Sequence, residues 1–192
     1  MVPALGDSVQ FAHCSDIHND LIVMYEALQN GWDPPENLSK EEYDQLRKLE
    51  GYGPLKAFAA FGCSFGGKEW GGYARDVRKT TSFAYTARNG LLKKKPFMKN
   101  VEFARHDYRD YAPKNCVIYC DPPYQGTTTY KTDKFDHQTF FDWCKQASNT
   151  NDVFVSEFNA PLGWQVVWEF ERRIQVEATT GNVKVDRLYK VQ

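Results

Sequence analysis

Cys116-Val117-Ile118-Tyr119-Cys120-Asp121-Pro122-Pro123-Tyr124 is the stretch whose reading decides the fold. An unbroken apolar run over 116–120, stopped by an acid and two prolines, predicts a short strand buried on both faces, as in the parallel sheets of α/β domains. Working outward, helical and extended patterns alternate. Upstream, 101–105 reads as a strand and 80–95 as a helix with a basic end. Further back, Leu21, Ile22, Tyr25 and Leu28 recur at helical spacing over 19–30, and Gly31 ends that helix as C-terminal glycines do. The run 9–14 before it predicts a buried strand leading to Ser15-Asp16. Downstream, 136–147 predicts a helix and 153–156 a strand. The tail 165–191 alternates apolar and polar residues as two or three strands, with a turn at Gly181-Asn182. The pattern predicts an α/β fold whose sheet is mostly parallel with antiparallel C-terminal strands.

The segment 32–98 interrupts that alternation. Trp32, Pro34 and Pro35 lie in a connector, 32–37. Ser39 and Glu42 form a capping box that opens a polar helix to about residue 50, and 54–61 carries Leu55, Phe58 and Phe61 as a second short helix. The stretch 62–75 holds Gly62, Gly66, Gly67, Gly71 and Gly72, too many breakers for regular structure, and predicts an exposed functional loop.

Composition bounds the function. The 192 residues suffice for one domain with a well-buried core, and 13 Phe, 11 Tyr and 5 Trp argue against disorder. Apolar stretches are too short to span a bilayer, so a soluble protein is expected, with no membrane partner. With 24 basic residues against 25 acidic ones, a polyanion must be met by a local patch. Five cysteines without a CxxC pair, and no basic-then-apolar leader, point to a reducing cytoplasm. Cys116 and Cys120 read as two buried small side chains in one strand, and no metal site is expected.

Three of the strands lead to an acid: Asp16, Asp107 and Asp121. This places three carboxylates along one edge of the sheet, where ligands of such folds bind, although each is equally suited to cap a following helix. The third stands apart because two prolines follow it. They fix the backbone and remove two N–H donors, so the groups left to face a ligand are acceptors, the Asp121 carboxylate and the Pro122 carbonyl. Two acceptors suit an exocyclic amine, whose lone pair they would release from ring conjugation and direct outward. Tyr124 offers an aromatic face for a base. A base within a duplex must be flipped out to reach such a pocket.

These residues resemble the adenine-N6 DNA methyltransferases of the bacterial and phage DNA adenine methylase class, whose signature is an Asp-Pro-Pro-Tyr after an apolar strand. The likeness spans 15–189. Ser15-Asp16-Ile17-His18-Asn19-Asp20-Leu21-Ile22 is similar to the family's strand-end aspartate and following helix, and 101–103 leading to Asp107-Tyr108 to its cofactor-adenine segment. Phe154-Val155-Ser156-Glu157-Phe158-Asn159 resembles the strand after the catalytic motif, and Asp186-Arg187-Leu188-Tyr189 the closing strand. The resemblance implies one Rossmann-like methyltransferase domain over 1–192, with 32–98 as a helical target-recognition insertion. It implies S-adenosylmethionine as cofactor, double-stranded DNA as substrate, and a bacterial or phage-infected cytoplasm, with restriction-modification as a setting. Asp121, Pro122, Pro123 and Tyr124 are then catalytic, while Asp16, Ile17, Asp107, Tyr108 and Gly6 bind cofactor. Lys68, Arg75, Arg78 and Lys79 hold DNA phosphates.

The N-terminus departs from the family pattern. Ala4-Leu5-Gly6-Asp7-Ser8 stands where a glycine-rich turn approaches the cofactor's methionine end, and only the nine residues 7–15 separate Gly6 from Asp16. A shortened member with weak cofactor binding is the expectation, and a non-catalytic DNA-binding relic is the alternative.

Overall fold

The structure, a computed structural model, describes residues 10–75, 82–125, 135–174 and 182–192. The chain folds as two compact units, Met1–Tyr108 and Arg109–Gln192.

In the first unit, strand β1 (Ala12–Asp16) pairs in parallel with β2 (Val101–Arg105), Asp16 standing opposite Arg105. The first strand begins later than its apolar run suggests and carries through to the acid itself. Helix α1 (Asn19–Gln29) follows, and Gly31 just past its end takes φ 101°, a left-handed conformation that glycine adopts without a Cβ penalty. The capping box forms as read: Ser39 accepts from the Glu42 amide, and the Glu42 carboxylate accepts from the Ser39 amide, opening α2 (Lys40–Lys48). Helix α3 (Pro54–Ala57) widens into a π-turn, Phe58–Gly62, closed by the Cys63 amide on the Phe58 carbonyl. The apolar spacing shows a helix here but not its change of pitch. Within the π-turn the Ala60 carbonyl accepts from the Trp70 amide, which ties the glycine loop back onto the helix.

That loop is more structured than its composition suggests. Ser64 bridges Tyr73, Phe65–Gly67 makes a short 3-10 turn, and the Ala74 amide donates to the Cys63 carbonyl. Gly66 and Gly67 both have positive φ, 65° and 67°, so the breakers are what the turn requires. Trp70 packs edge-on to Tyr43, whose buried hydroxyl bonds Ser64. Helix α4 (Phe83–Lys94), capped by Ser82, runs through the 3-10 turn Lys95–Met98 to β2. Met24, Leu38, Tyr43, Leu46, Phe58 and Ala84 are among the side chains of one core, so α1 and the segment 32–98 are folded together.

In the second unit, β3 (Val117–Cys120), α5 (His137–Ala147) and β4 (Asp152–Glu157) form a parallel strand pair joined by a helix. Strand β5 (Gln165–Ile174) pairs with β6 (Asn182–Lys190), and β6 with β4, both antiparallel, giving the order β3-β4-β6-β5. Asn182 lies within β6 rather than in a turn, and Gly181 falls outside the described residues. Parallel and antiparallel pairings thus occur together, the parallel ones divided between two sheets.

Two expectations for β3 are corrected. Its burial is one-sided: Val117 is 65% exposed and Tyr119 37%, and among the described residues β3 pairs with β4 alone. Val153, Val155 and Glu157 instead fill the buried face, and Cys144 of α5 meets Cys120 there thiol to thiol. Cys116 is not in the strand; it is exposed, with its amide and thiol on the Asn151 side-chain oxygen. No helix among the described residues is long and apolar enough to cross a membrane.

Candidate active site

Asp121 follows β3 directly, and the two prolines after it have no amide hydrogen to cap it with. Burial lifts the Asp121 carboxyl above its ordinary range even though solvent reaches one side of it, and the carboxylate of Asp186 on β6 adds to the rise. Among the described residues no donor occupies the Pro122 carbonyl.

Tyr124 is held from several directions. Its ring meets Phe158 edge-on, 4.7 Å between centroids at 89°. Phe158 is fixed in turn through its carbonyl, which accepts from Arg187 at 2.7 Å and from the Tyr189 hydroxyl at 3.2 Å. The Tyr124 phenol is pushed up to about 12, by burial first and then by the Asp121 charge, while a hydrogen bond with Ser156 works the other way. It stays a neutral donor throughout the physiological range. The Ser156 hydroxyl also bonds the Tyr119 hydroxyl at 2.7 Å, so one serine serves both tyrosines.

Beneath the motif lies Glu157, the last residue of β4, with no exposed surface. Its two oxygens accept from the Gln125 amide at 3.2 and 3.1 Å, and Oε1 accepts from the Phe158 amide at 2.7 Å. His137, the first residue of α5, donates from Nε2 to the Pro123 carbonyl at 2.7 Å, with the same nitrogen 3.9 Å from Glu157 Oε2. Ser156, Glu157 and Asp186 lie in segments that the sequence marks only as strands, and no motif marks His137. Nothing in their spacing shows that β4 ends under the Asp121 turn; that follows from the register Cys120 opposite Val155.

The residues expected at the cofactor lie in the first unit. Asp16 ends β1 and Asp107 stands two residues past its parallel partner β2, so both mark the carboxyl end of one strand pair, with Tyr108 next in chain. Asp16 Oδ1 accepts from the His18 amide at 2.7 Å, and among the described residues Oδ2 is not engaged. Ile17 is 57% exposed. A cavity of 250 Å3 opens beside Asp16, lined also by Ser15, Ile22, Phe97 and the stacked pair Tyr25 and Phe103. A second hollow, 310 Å3, lies at the opposite, amino end of β3 and β4 around Asn115 and Thr150, away from the strand ends where ligands of such sheets bind. Lys68 and Arg75 sit on the exposed part of the glycine loop, Arg75 5.8 Å over the Tyr73 ring. Gly6, Arg78 and Lys79 lie outside the described residues. Among the described residues no group of three potential metal ligands comes together.

The family model of the D12 class N6 adenine-specific DNA methyltransferases matches residues 66–178, more than half of the chain. The chain belongs to that family. The match takes in Asp107, Asp121 to Tyr124, His137 and Glu157, and it begins after the Asp16 segment. No curated protein matches the chain. As a member of the adenine-specific methyltransferase family it has DNA as its substrate and adenine N6 as the methylated position.

Proposed function

We propose that the protein transfers a methyl group from S-adenosylmethionine to N6 of an adenine flipped out of double-stranded DNA, on a Rossmann-like methyltransferase scaffold. The observation that carries this reading is the Asp121-Pro122-Pro123-Tyr124 turn. It has an acceptor pair at the end of a parallel strand and an aromatic ring held in place beside it. The Asp121 carboxylate and the Pro122 carbonyl accept the two N–H bonds of N6, which localises the nitrogen lone pair and directs it at the incoming carbon. Tyr124 stacks on the flipped base. As the N6–C bond forms and the carbon–sulfur bond of the donor breaks, the sulfur leaving as a neutral thioether, nitrogen would gain positive charge and release a proton, and the adjacent carboxylate both stabilises that charge and accepts the proton.

S-adenosylmethionine, when bound, supplies the electrophilic methyl group. The residues of the first unit suit it: Asp16 has an oxygen to spare for ribose hydroxyls, and the apolar cavity that Asp16 lines, with Tyr25 and Phe103 in its wall, suits an adenine ring. Lys68 and Arg75 are placed to hold phosphates. The proposal puts the reaction in the cytoplasm of a bacterial or phage-infected cell.

The test is incorporation of tritiated methyl groups from S-adenosylmethionine into unmethylated bacterial chromosomal DNA, which contains every short recognition sequence. Wild-type protein should label N6 of adenine and Asp121→Ala should not. Undiminished labelling by Asp121→Ala would reject the mechanism.

A further inference from the structure

We propose that Glu157 and His137 are positioning residues for methyl transfer, clamping the backbone on both sides of Tyr124. The inference rests on the adenine site proposed above and adds to it the machinery that holds that site still.

The two prolines create the need for such a clamp. They leave residues 122 and 123 without amide hydrogens, so the turn cannot be tied down through its own N–H groups at those positions. What remains within reach is the carbonyl before Tyr124 and the amide after it. His137 takes the first: a carbonyl can only accept, so the 2.7 Å contact places the proton on Nε2. Glu157 takes the second, both oxygens converging on the Gln125 amide. The helix start and the strand end thereby grip the chain on either side of the one residue whose ring must face the base.

Packing alone gives no reason for a carboxylate at this place. Val153 and Val155 precede Glu157 on the same buried face of β4, and a third aliphatic side chain there would avoid the desolvation that a buried acid suffers. Burial raises the Glu157 carboxyl above its ordinary range, and the Phe158 and Gln125 amides and then His137 act against that rise. The buried charge is thus matched to the backbone groups of the turn. Its neighbour Ser156, pointing to the other face of the strand, takes the hydroxyl end of Tyr124. The last two residues of β4 therefore hold the motif from both sides of the sheet.

Glu157→Gln preserves the outline and removes the charge. Per folded molecule, kcat should fall about tenfold to a hundredfold, the range for displacing a reacting group by a fraction of an ångström to an ångström, while KM for DNA and for S-adenosylmethionine stays within about twofold. His137→Gln should lower kcat in the same way by a smaller factor. The double variant should be little worse than Glu157→Gln alone, because both act through one turn. A residue that only stabilises the fold would reduce the folded fraction and leave kcat per folded molecule unchanged; that result, or a change confined to KM, overturns the proposal. If Glu157→Gln does not fold, His137→Gln decides on the same readout. Hydrogen exchange gives an answer independent of turnover: the Gln125 and Phe158 amides should be protected in the wild type and exchange faster in Glu157→Gln, with equal exchange counting against the clamp. Asp121→Ala separates the two levels. Activity in that variant defeats the adenine-site reading, whereas an inactive Asp121→Ala beside a fully active Glu157→Gln defeats the clamp alone.

Discussion

Asp16 and Asp121 occupy the same formal position, the carboxyl end of a strand with a parallel neighbour, and the residues after them make them different chemical objects. After Asp16 come Ile17 and His18, both of which carry an N–H, and the carboxylate spends one oxygen on the His18 N–H at the mouth of α1. After Asp121 come two prolines, so the next two positions offer its charge no amide. Asp16 thus becomes a half-engaged acceptor on an open edge. Asp121 becomes a carboxylate lifted by burial and by Asp186, beside a tyrosine that cannot ionise at working pH. The lesson is that a strand end supplies a location, and the two or three residues that follow decide whether a carboxylate there serves the backbone or a ligand.

The largest effect expected from this contrast is at Asp121. Asp121→Ala or Tyr124→Ala should lower methyl transfer by about 100-fold or more, by analogy with the loss of one preorganised group in other electrostatic sites. The thermal midpoint of Asp121→Asn should be no lower than that of the wild type at neutral pH. The sign follows from linkage: a carboxyl whose folded pKa is raised costs stability wherever it is ionised, and asparagine removes that cost. A variant that loses both activity and fold would break the contrast.

Asp16→Ala should act on binding. Loss of an acceptor for ribose hydroxyls is worth roughly 1.5 to 3 kcal/mol, about tenfold to a hundredfold in the dissociation constant for S-adenosylmethionine by titration calorimetry. Asp121→Ala should leave that constant nearly unchanged. Equal cofactor affinity in wild type and Asp16→Ala would mean that the two strand ends differ in some other way.

A smaller effect sharpens the electrostatic half of the comparison. Because the ionised Asp121 is the reactive form, kcat/KM should fall on acidification through a pKa above the ordinary aspartate range. Replacing the neighbouring negative charge, Asp186→Asn, should move that acid limb to lower pH. A limb that stays in place would remove Asp186 from the account. The mildest change is expected on the glycine loop, where Lys68→Ala with Arg75→Ala should weaken binding to all DNA sequences alike and reduce the salt slope by about two. An unchanged slope would locate the DNA surface elsewhere, with the basic end of α4 the next candidate.

What could be read in advance depended on how local the cause was. The start of α2 was legible because a capping box is a contact between residues three apart, and the end of α1 because Gly31 takes its left-handed turn whatever lies around it. The reading of Asp121 likewise rests on adjacent prolines. The exposure of Val117 and Tyr119 was not legible, since an apolar run looks the same whatever covers its two faces. Glu157 and His137 were hidden for a related reason: the register between β3 and β4 brings them under the turn, and no spacing along the chain encodes it.

The position of Cys116 has a practical side. It is the exposed thiol of the five, whereas Cys63 and Cys144 are buried and held well above the pH at which thiolates form. A maleimide dye at neutral pH should therefore attach first to Cys116, at the amino end of β3. Asp121 lies at the other end, about 16 Å along the strand. A reporter seated there could sense a base arriving at the Asp121 turn from the far end of the strand.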